Sequence, residues 1–331
     1  MTLRATALVG LVIGLSLVSS AAVFAADDDG VRVVFELQDS RIHESSGLVD
    51  LGKVMVTVND SGDSPRVFVL DARTGDTVGV TDFGTEVSDV EALAPAGRDH
   101  VWVGDIGDNR RTRDEVVVHR VRVAARDLDV RPTVSVRLRY PDKPHDAEAL
   151  FADRRGRLHV ITKSFGGGVV YRAPARLDPD GVNVLEPVAR LDAYVTDAAL
   201  LGGGRHVLVR GPVRATVHAL PDFAALGSLE LPRQRQGEAV SVGPVGRVRV
   251  STEGAGTPVH EVDLPSQLRA RMQGPATPSA SPTPVDPDDA SRQDGAGGGS
   301  RPGWLPWATA GALVVVVVAL GRAVTIRRST R

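Results

Sequence analysis

The sequence predicts an all-β chain folded as a β-propeller of five four-stranded blades, closed into a ring by an N-terminal strand. Three observations predict it. A five-residue unit, acid–x–x–small–Leu, recurs five times. The same strand-like runs follow every copy, and one strand is left over before the first copy, matching the one that the last copy lacks. Units recurring every 40 to 50 or so residues mark propeller blades or solenoid arrays.

The copies read Glu44-Ser45-Ser46-Gly47-Leu48, Asp89-Val90-Glu91-Ala92-Leu93 and Asp146-Ala147-Glu148-Ala149-Leu150. Two degraded copies follow, Asp197-Ala198-Ala199-Leu200-Leu201 and Gln236-Gly237-Glu238-Ala239-Val240. Their first positions lie 45, 57, 51 and 39 residues apart. After the copies come short β-branched runs at 54–58 and 67–70, 100–104 and 116–121, 158–162 and 169–172, 206–209 and 216–220, and 247–250 and 259–262. Gly, Pro, Asp and Asn bound them, as strands and hairpins require. A further strand precedes the next copy at 77–83, 134–140, 187–193 and 226–232. Counting the repeat's own strand gives four per unit, labelled A to D from the axis outward. The fifth unit has no D strand of its own, and 31–37 supplies one. Closure removes the free edges that would otherwise pair with other chains. A sixth, unrecognised blade is the alternative.

The ends predict a different environment. Residues 1–25 read as a signal peptide, with Arg4 before an apolar run and Val23-Phe24-Ala25 at the cleavage site. Residues 26–264 are the propeller ectodomain. Residues 265–303 are a Pro/Ser/Gly-rich stalk with too little apolar surface to offset the entropy of ordering. Residues 304–326 form a transmembrane helix, opened by Trp304 and Trp307 and followed by a basic cytoplasmic tail, 327–331. The expectation is a single-pass cell-membrane protein with its N-terminal domain extracytoplasmic. An uncleaved N-terminal anchor is the alternative to the signal peptide.

Among the 331 residues there is no cysteine, so stability must come from the core and from ring closure. The formal net charge of −2 implies no polyanionic partner, and aromatics at 4% offer little for base stacking, so nucleic acid is not expected. No Gly-x-Ser-x-Gly elbow, zinc-protease helix or phosphate-binding glycine loop is present.

Chemistry is expected on one face. In such blades the D–A and B–C connections emerge together. These carry His43, Glu44, Asp89, His145, Asp146 and Asp197 on one set of loops, and Asn59–Asp63, Asp105–Asn109, Lys163, Arg210 and Glu253 on the other. The first and third unit positions share a side of strand A. Ser46, Glu91, Glu148, Ala199 and Glu238 would therefore ring the channel mouth. Two readings stay open. The acids cap turns by accepting backbone N–H bonds, or they hold a hard cation, Ca2+, on the axis. The metal set would be Glu44, Asp60, Asp89, Glu91, Asp105, Asp108 and Asn109, with Ile106 packing down while Asp105, Asp108 and Asn109 face out. His43 and His145 are candidate bases or ordinary loop histidines. Lys163 and Arg210 would bind an anionic substrate.

The chain resembles a group of exported bacterial propeller proteins, mostly of unassigned function and actinobacterial in character. The resemblance rests on Glu44-Ser45-Ser46-Gly47-Leu48, Asn59-Asp60-Ser61-Gly62-Asp63, Asp89-Val90-Glu91-Ala92-Leu93 and Gly104-Asp105-Ile106-Gly107-Asp108-Asn109. More loosely it is similar to the esterase-like-phytase propellers, which implies hydrolysis of phosphate or ester substrates, although no catalytic set maps across residue by residue. The resulting expectation is a membrane-anchored propeller binding a ligand or protein partner through its acidic face, with a divalent cation at that site. The alternative is a metal-dependent hydrolase of a phosphoester, ester or lactone. A purely structural envelope protein is the third reading.

Overall fold

The structure is a computed structural model, and it describes residues 23–24, 30–60 and 62–274. Blade 1 is built from Ser45–Asp50, Val54–Asn59, Arg66–Asp71 and Thr77–Asp82. Blade 2 uses Val90–Pro95, His100–Asp105, Val116–Arg122 and Val134–Arg139. Blade 3 uses Ala147–Ala152, Leu158–Thr162, Gly168–Arg172 and Glu186–Leu191. Blade 4 uses Asp197–Leu200, His206–Arg210, Arg214–Ala219 and Ala225–Glu230. Blade 5 uses Gly237–Val242, Val248–Thr252 and Pro258–Val262, and its outermost strand is Val31–Glu36, antiparallel to the third. The ring is closed by the N-terminal strand, with five blades.

Side chains of each strand alternate between the two neighbouring blades, so both faces of a blade are apolar. Five apolar seams result. Phe35, Leu37, Met55 and Phe68 fill the seam between blades 5 and 1. Val56, Val58, Val101 and Val103 fill the next, and Val116, Val118, Leu158 and Val160 the one after. Phe151, Ile161, Val207 and Val209 join blades 3 and 4; Leu208, Leu229, Val248 and Val250 join blades 4 and 5. Near the axis the seams are tight. A Cβ on Gly47 would lie 2.6 Å from the backbone N of Leu93 in the next blade.

Three blades carry an extra outer strand in parallel. Leu128–Asp129, from the C–D connection of blade 2, pairs with Thr81–Asp82 of blade 1. Val182–Val184, from the same connection of blade 3, pairs with blade 2. Val23 and Phe24 pair with Ser228 and Leu229 of blade 4. They are the described part of the expected signal peptide.

Blade 4 corrects the alignment of the repeat. Asp197 lies opposite Arg210, where Gly47 lies opposite Val58, Ala92 opposite Gly104 and Ala149 opposite Ile161. Asp197 therefore occupies the fourth, small position, not the first. The fourth copy is Tyr194-Val195-Thr196-Asp197-Ala198, and its third residue is Thr196, not Ala199. Strand pairing and seam packing set this register, and the acid at 197 is a substitution in the small slot.

The first residues of the expected stalk are folded onto the propeller. After Leu264, helix α1 (Ser266–Gln273) docks by Leu268, which is fully buried in the seam of blades 4 and 5. Arg271 Nη1 donates to Leu226 O at 2.9 Å. The expected stalk after 274, the membrane helix 304–326 and the tail 327–331 lie outside the described residues. Among the described residues, no helix is long and apolar enough to cross a membrane.

Candidate functional site

The D–A and B–C connections meet on one face. Backbone N–H groups of Asp60, Lys163 and Glu253 donate to the carbonyls of Glu44, Asp146 and Gln236 at 2.8, 2.9 and 3.0 Å. Each pair ties a B–C loop to the first residue of its repeat.

At the third position, a bulge aims the side chain. Pairing slips between Ser45 and Gly47, Val90 and Ala92, Ala147 and Ala149, and Gly237 and Val240. The skipped residue leaves the ladder and its side chain is re-aimed. Ser46, Glu91, Glu148 and Glu238 are these residues, and Thr196 takes the place in blade 4, where pairing is regular. All five are buried. Ser46 Oγ donates to Glu91 O at 2.8 Å and lies 3.3 Å from its Oε2. Thr196 Oγ1 donates to Glu238 O at 3.0 Å, repeating the same inter-blade link.

Asp60, Asp89 and Glu91 bring one carboxylate oxygen each to within 4.8 Å of one another. The first comes from the B–C loop of blade 1, the others from the entry to blade 2. Gly107 makes this possible, since a Cβ there would lie 2.4 Å from Asp89 Oδ2. Asp89 Oδ1 is sealed from solvent and has no hydrogen-bond partner. Burial, followed by the charge on Asp60, pushes the Asp89 carboxyl up to about 6. Glu91 is 2% exposed, and burial, then Glu148, Asp60 and Asp89, drive its carboxyl far above the usual range. Glu148 is also raised by burial, against the pull of Lys163, to which it is paired. Glu238 is raised by burial, and its Oε2 has no partner. Burial and then Glu238 push Glu253 up to about 7. The mouth of the channel thus concentrates carboxylates out of water, with Lys163 paired to Glu148 among them.

The other expected site residues are placed differently. Asp105 is a capping group. Its carboxylate accepts the N–H groups of Ser88 and Asp89 at 3.1 and 2.9 Å, and Arg113 Nη1 at 2.8 Å. Asn59 plays the same part in blade 1, accepting from His43 and Glu44 N–H groups at 3.0 and 3.2 Å. Asp108 faces inward, 5% exposed, and accepts Arg113 N at 2.8 Å, while its own N–H donates to Asp146 Oδ1 at 2.9 Å. Of the loop's three polar residues expected to face out, only Asn109 is exposed. Glu44 is half-exposed, beside His43 Nδ1 at 3.3 Å. His145 is tied to Asp142 at 2.9 Å and Tyr171 at 3.0 Å. Neither histidine joins the three-carboxylate group. Arg210 corrects the substrate-binding expectation, because it is fully buried. Its guanidinium donates to the carbonyls of Ala239 and Ser251 and to Gln234 Oε1, all inside the seam with blade 5.

Sequence reasoning did not single out Arg113, whose role depends on a turn returning it to Asp105. It also passed over an aromatic pair on this face. Phe165, 96% exposed, stands 5.0 Å from the Tyr194 ring, and Lys163 Nζ lies 5.8 Å from the Tyr194 centroid.

No protein-family model matches the chain, and no curated protein matches it. Among solved structures, one described as glucose dehydrogenase aligns with a TM-score of 0.44 at 12% identity, covering 71% of this chain and 99% of the other. A second glucose dehydrogenase aligns at 0.43 and 12%, with the same coverage. A luciferin-regenerating enzyme aligns at 0.38 and 9%, covering 69% of this chain and 78% of its own. At these values the likeness carries no statement about activity.

Proposed function

We propose that the protein is a membrane-anchored, extracytoplasmic β-propeller that binds a ligand or protein partner through its acidic face, with a divalent cation, Ca2+, held by Asp60, Asp89 and Glu91. The convergence of these three carboxylates, one of them with a sealed, unpartnered oxygen, carries the reading. Burying like charges together is costly unless a proton or a cation neutralises them. A hard cation taking oxygen ligands supplies that neutralisation at neutral pH, and Ca2+ accepts six to eight of them. Three carboxylate oxygens leave positions for water and for a ligand's own oxygens, which is how a cation would present the face to a partner.

The test is thermal unfolding of the full chain in EDTA and then in millimolar Ca2+. A cation that binds only the folded state stabilises it by about 2.7 kcal/mol at a hundred times its Kd. The rise should vanish in Asp60→Asn with Asp89→Asn. It should persist in Asn109→Ala, whose exposed side chain lies outside the group. No rise in the wild-type chain would end the cation reading.

A further inference from the structure

The channel contains a second chamber with a different chemistry. Beyond the third-position side chains, the later residues of the A strands and the A–B turns enclose a cavity of about 530 Å3. Small-molecule sites fall in the range of about 300–1,000 Å3. None of Ser46, Glu91, Glu148, Thr196 and Glu238 lines it. Its wall is aliphatic at the fifth position of the repeat, with Leu48, Leu93, Leu150 and Val240. Blade 4 breaks that ring, because its fifth residue is Ala198.

One polar side chain at the wall is uncommitted. Arg154 stands exposed at the rim, on the A–B turn of blade 3, and makes no ion pair or hydrogen bond among the described residues. The neighbouring charges are committed. Asp153 accepts the N–H groups of Arg155 and Arg157 at 2.8 and 3.0 Å. Asp50 faces Arg249 at 3.5 Å, and Arg120 donates to Ala96 O at 3.0 Å. The uncommitted charge at the rim is therefore positive.

We infer that this chamber binds a small monocarboxylate with an apolar body, such as a fatty acid of medium chain length. The apolar chain lies in the chamber and the carboxylate meets Arg154. The inference does not depend on a cation at the opposite end of the channel.

Calorimetric titration of the full chain with decanoate, below its micelle-forming concentration, tests this directly. Saturable binding is expected, at least tenfold tighter than for decanol. Ala198→Leu restores the side chain of the other blades and should abolish binding while thermal unfolding stays cooperative. Arg154→Glu changes an exposed, unpaired side chain, so it tests the proposal even where Ala198→Leu fails to fold; it should weaken binding by about tenfold or more. No saturable binding to the wild-type chain, equal affinity for decanol, or binding unaffected by Arg154→Glu would each overturn the proposal.

Discussion

The two ends of the central channel are built from the same five strands and differ in what they expose. At the upper end the third residue of the repeat is Glu in three blades and a hydroxyl in the other two, and all five side chains are buried. At the lower end the fifth residue is aliphatic in four blades and alanine in one. The chemistry of the channel is therefore written in single positions of a five-residue unit. A bulge separates the two registers by taking the third residue out of the ladder. The upper end carries a penalty, buried like charge, that the lower end does not.

Four perturbations break or sharpen that contrast. The largest effect is expected at the buried pair of blade 4. Arg210→Ala removes the guanidinium that holds the carbonyls of Ala239 and Ser251 and offsets the charge of the buried Asp197 and Glu238, and stranding buried charge and acceptors in this way costs about 3–5 kcal/mol. Urea unfolding reads it. Asp197→Ala with Arg210→Ile, which copies Ala149 and Ile161 of blade 3, should recover most of the loss. A double variant no more stable than Arg210→Ala would show that blade 4 needs its charges.

Next comes the pH dependence of stability without divalent cation. Asp89 is raised from 3.8 to about 6, and Glu253 from 4.5 to about 7. Between the ordinary and the raised values the folded state binds more protons than the unfolded one, so stability falls as pH rises. The melting temperature in EDTA should therefore drop from about pH 4 to pH 7 and level off above, as far as these two groups are concerned. Asp89→Asn with Glu253→Gln should flatten the slope in EDTA, whereas the proposed cation should flatten it in the wild-type chain. A melting temperature in EDTA that rises across this window would show that other titrating groups outweigh the upper carboxylates.

Gly107→Ala should act on the site more than on the fold. The new Cβ meets side-chain atoms of Asp89 and Glu91, which can move, so the stability loss should stay near 1 kcal/mol. The Ca2+-induced rise in melting temperature should shrink markedly. A full rise in this variant would place the cation elsewhere. The smallest effect is expected far from the axis. Arg214 and Glu230 pair at 2.8 Å on the outer strands of blade 4, both about half exposed, and Arg214→Ala should cost less than about 1 kcal/mol.

The outline of the fold was legible because each blade repeats its needs. Strand runs such as Leu158–Thr162 are buried throughout, and their β-branched, aliphatic composition announces it. The leftover strand at 31–37 could be assigned by counting alone. The site was less legible. Asp89, Glu91 and Asp105 look alike as acids near turns, yet only the partners across the blade separate them. Asp105 is saturated by Ser88, Asp89 and Arg113, whereas Asp89 keeps a sealed oxygen without a partner. In blade 4 the acid itself misled the alignment, because Asp197 sits in a slot that glycine and alanine fill in the other blades.

What the sequence by itself determined is the all-β class, the five units and the end strand that closes them, since these follow from local composition and from counting repeats. The tertiary structure decided the register of blade 4, which carboxylates are caps and which are left without partners, and that the channel has an apolar chamber below its acidic mouth. Those outcomes depend on hydrogen bonds and packing between residues that the chain brings together across blades, and no local pattern records which neighbour arrives.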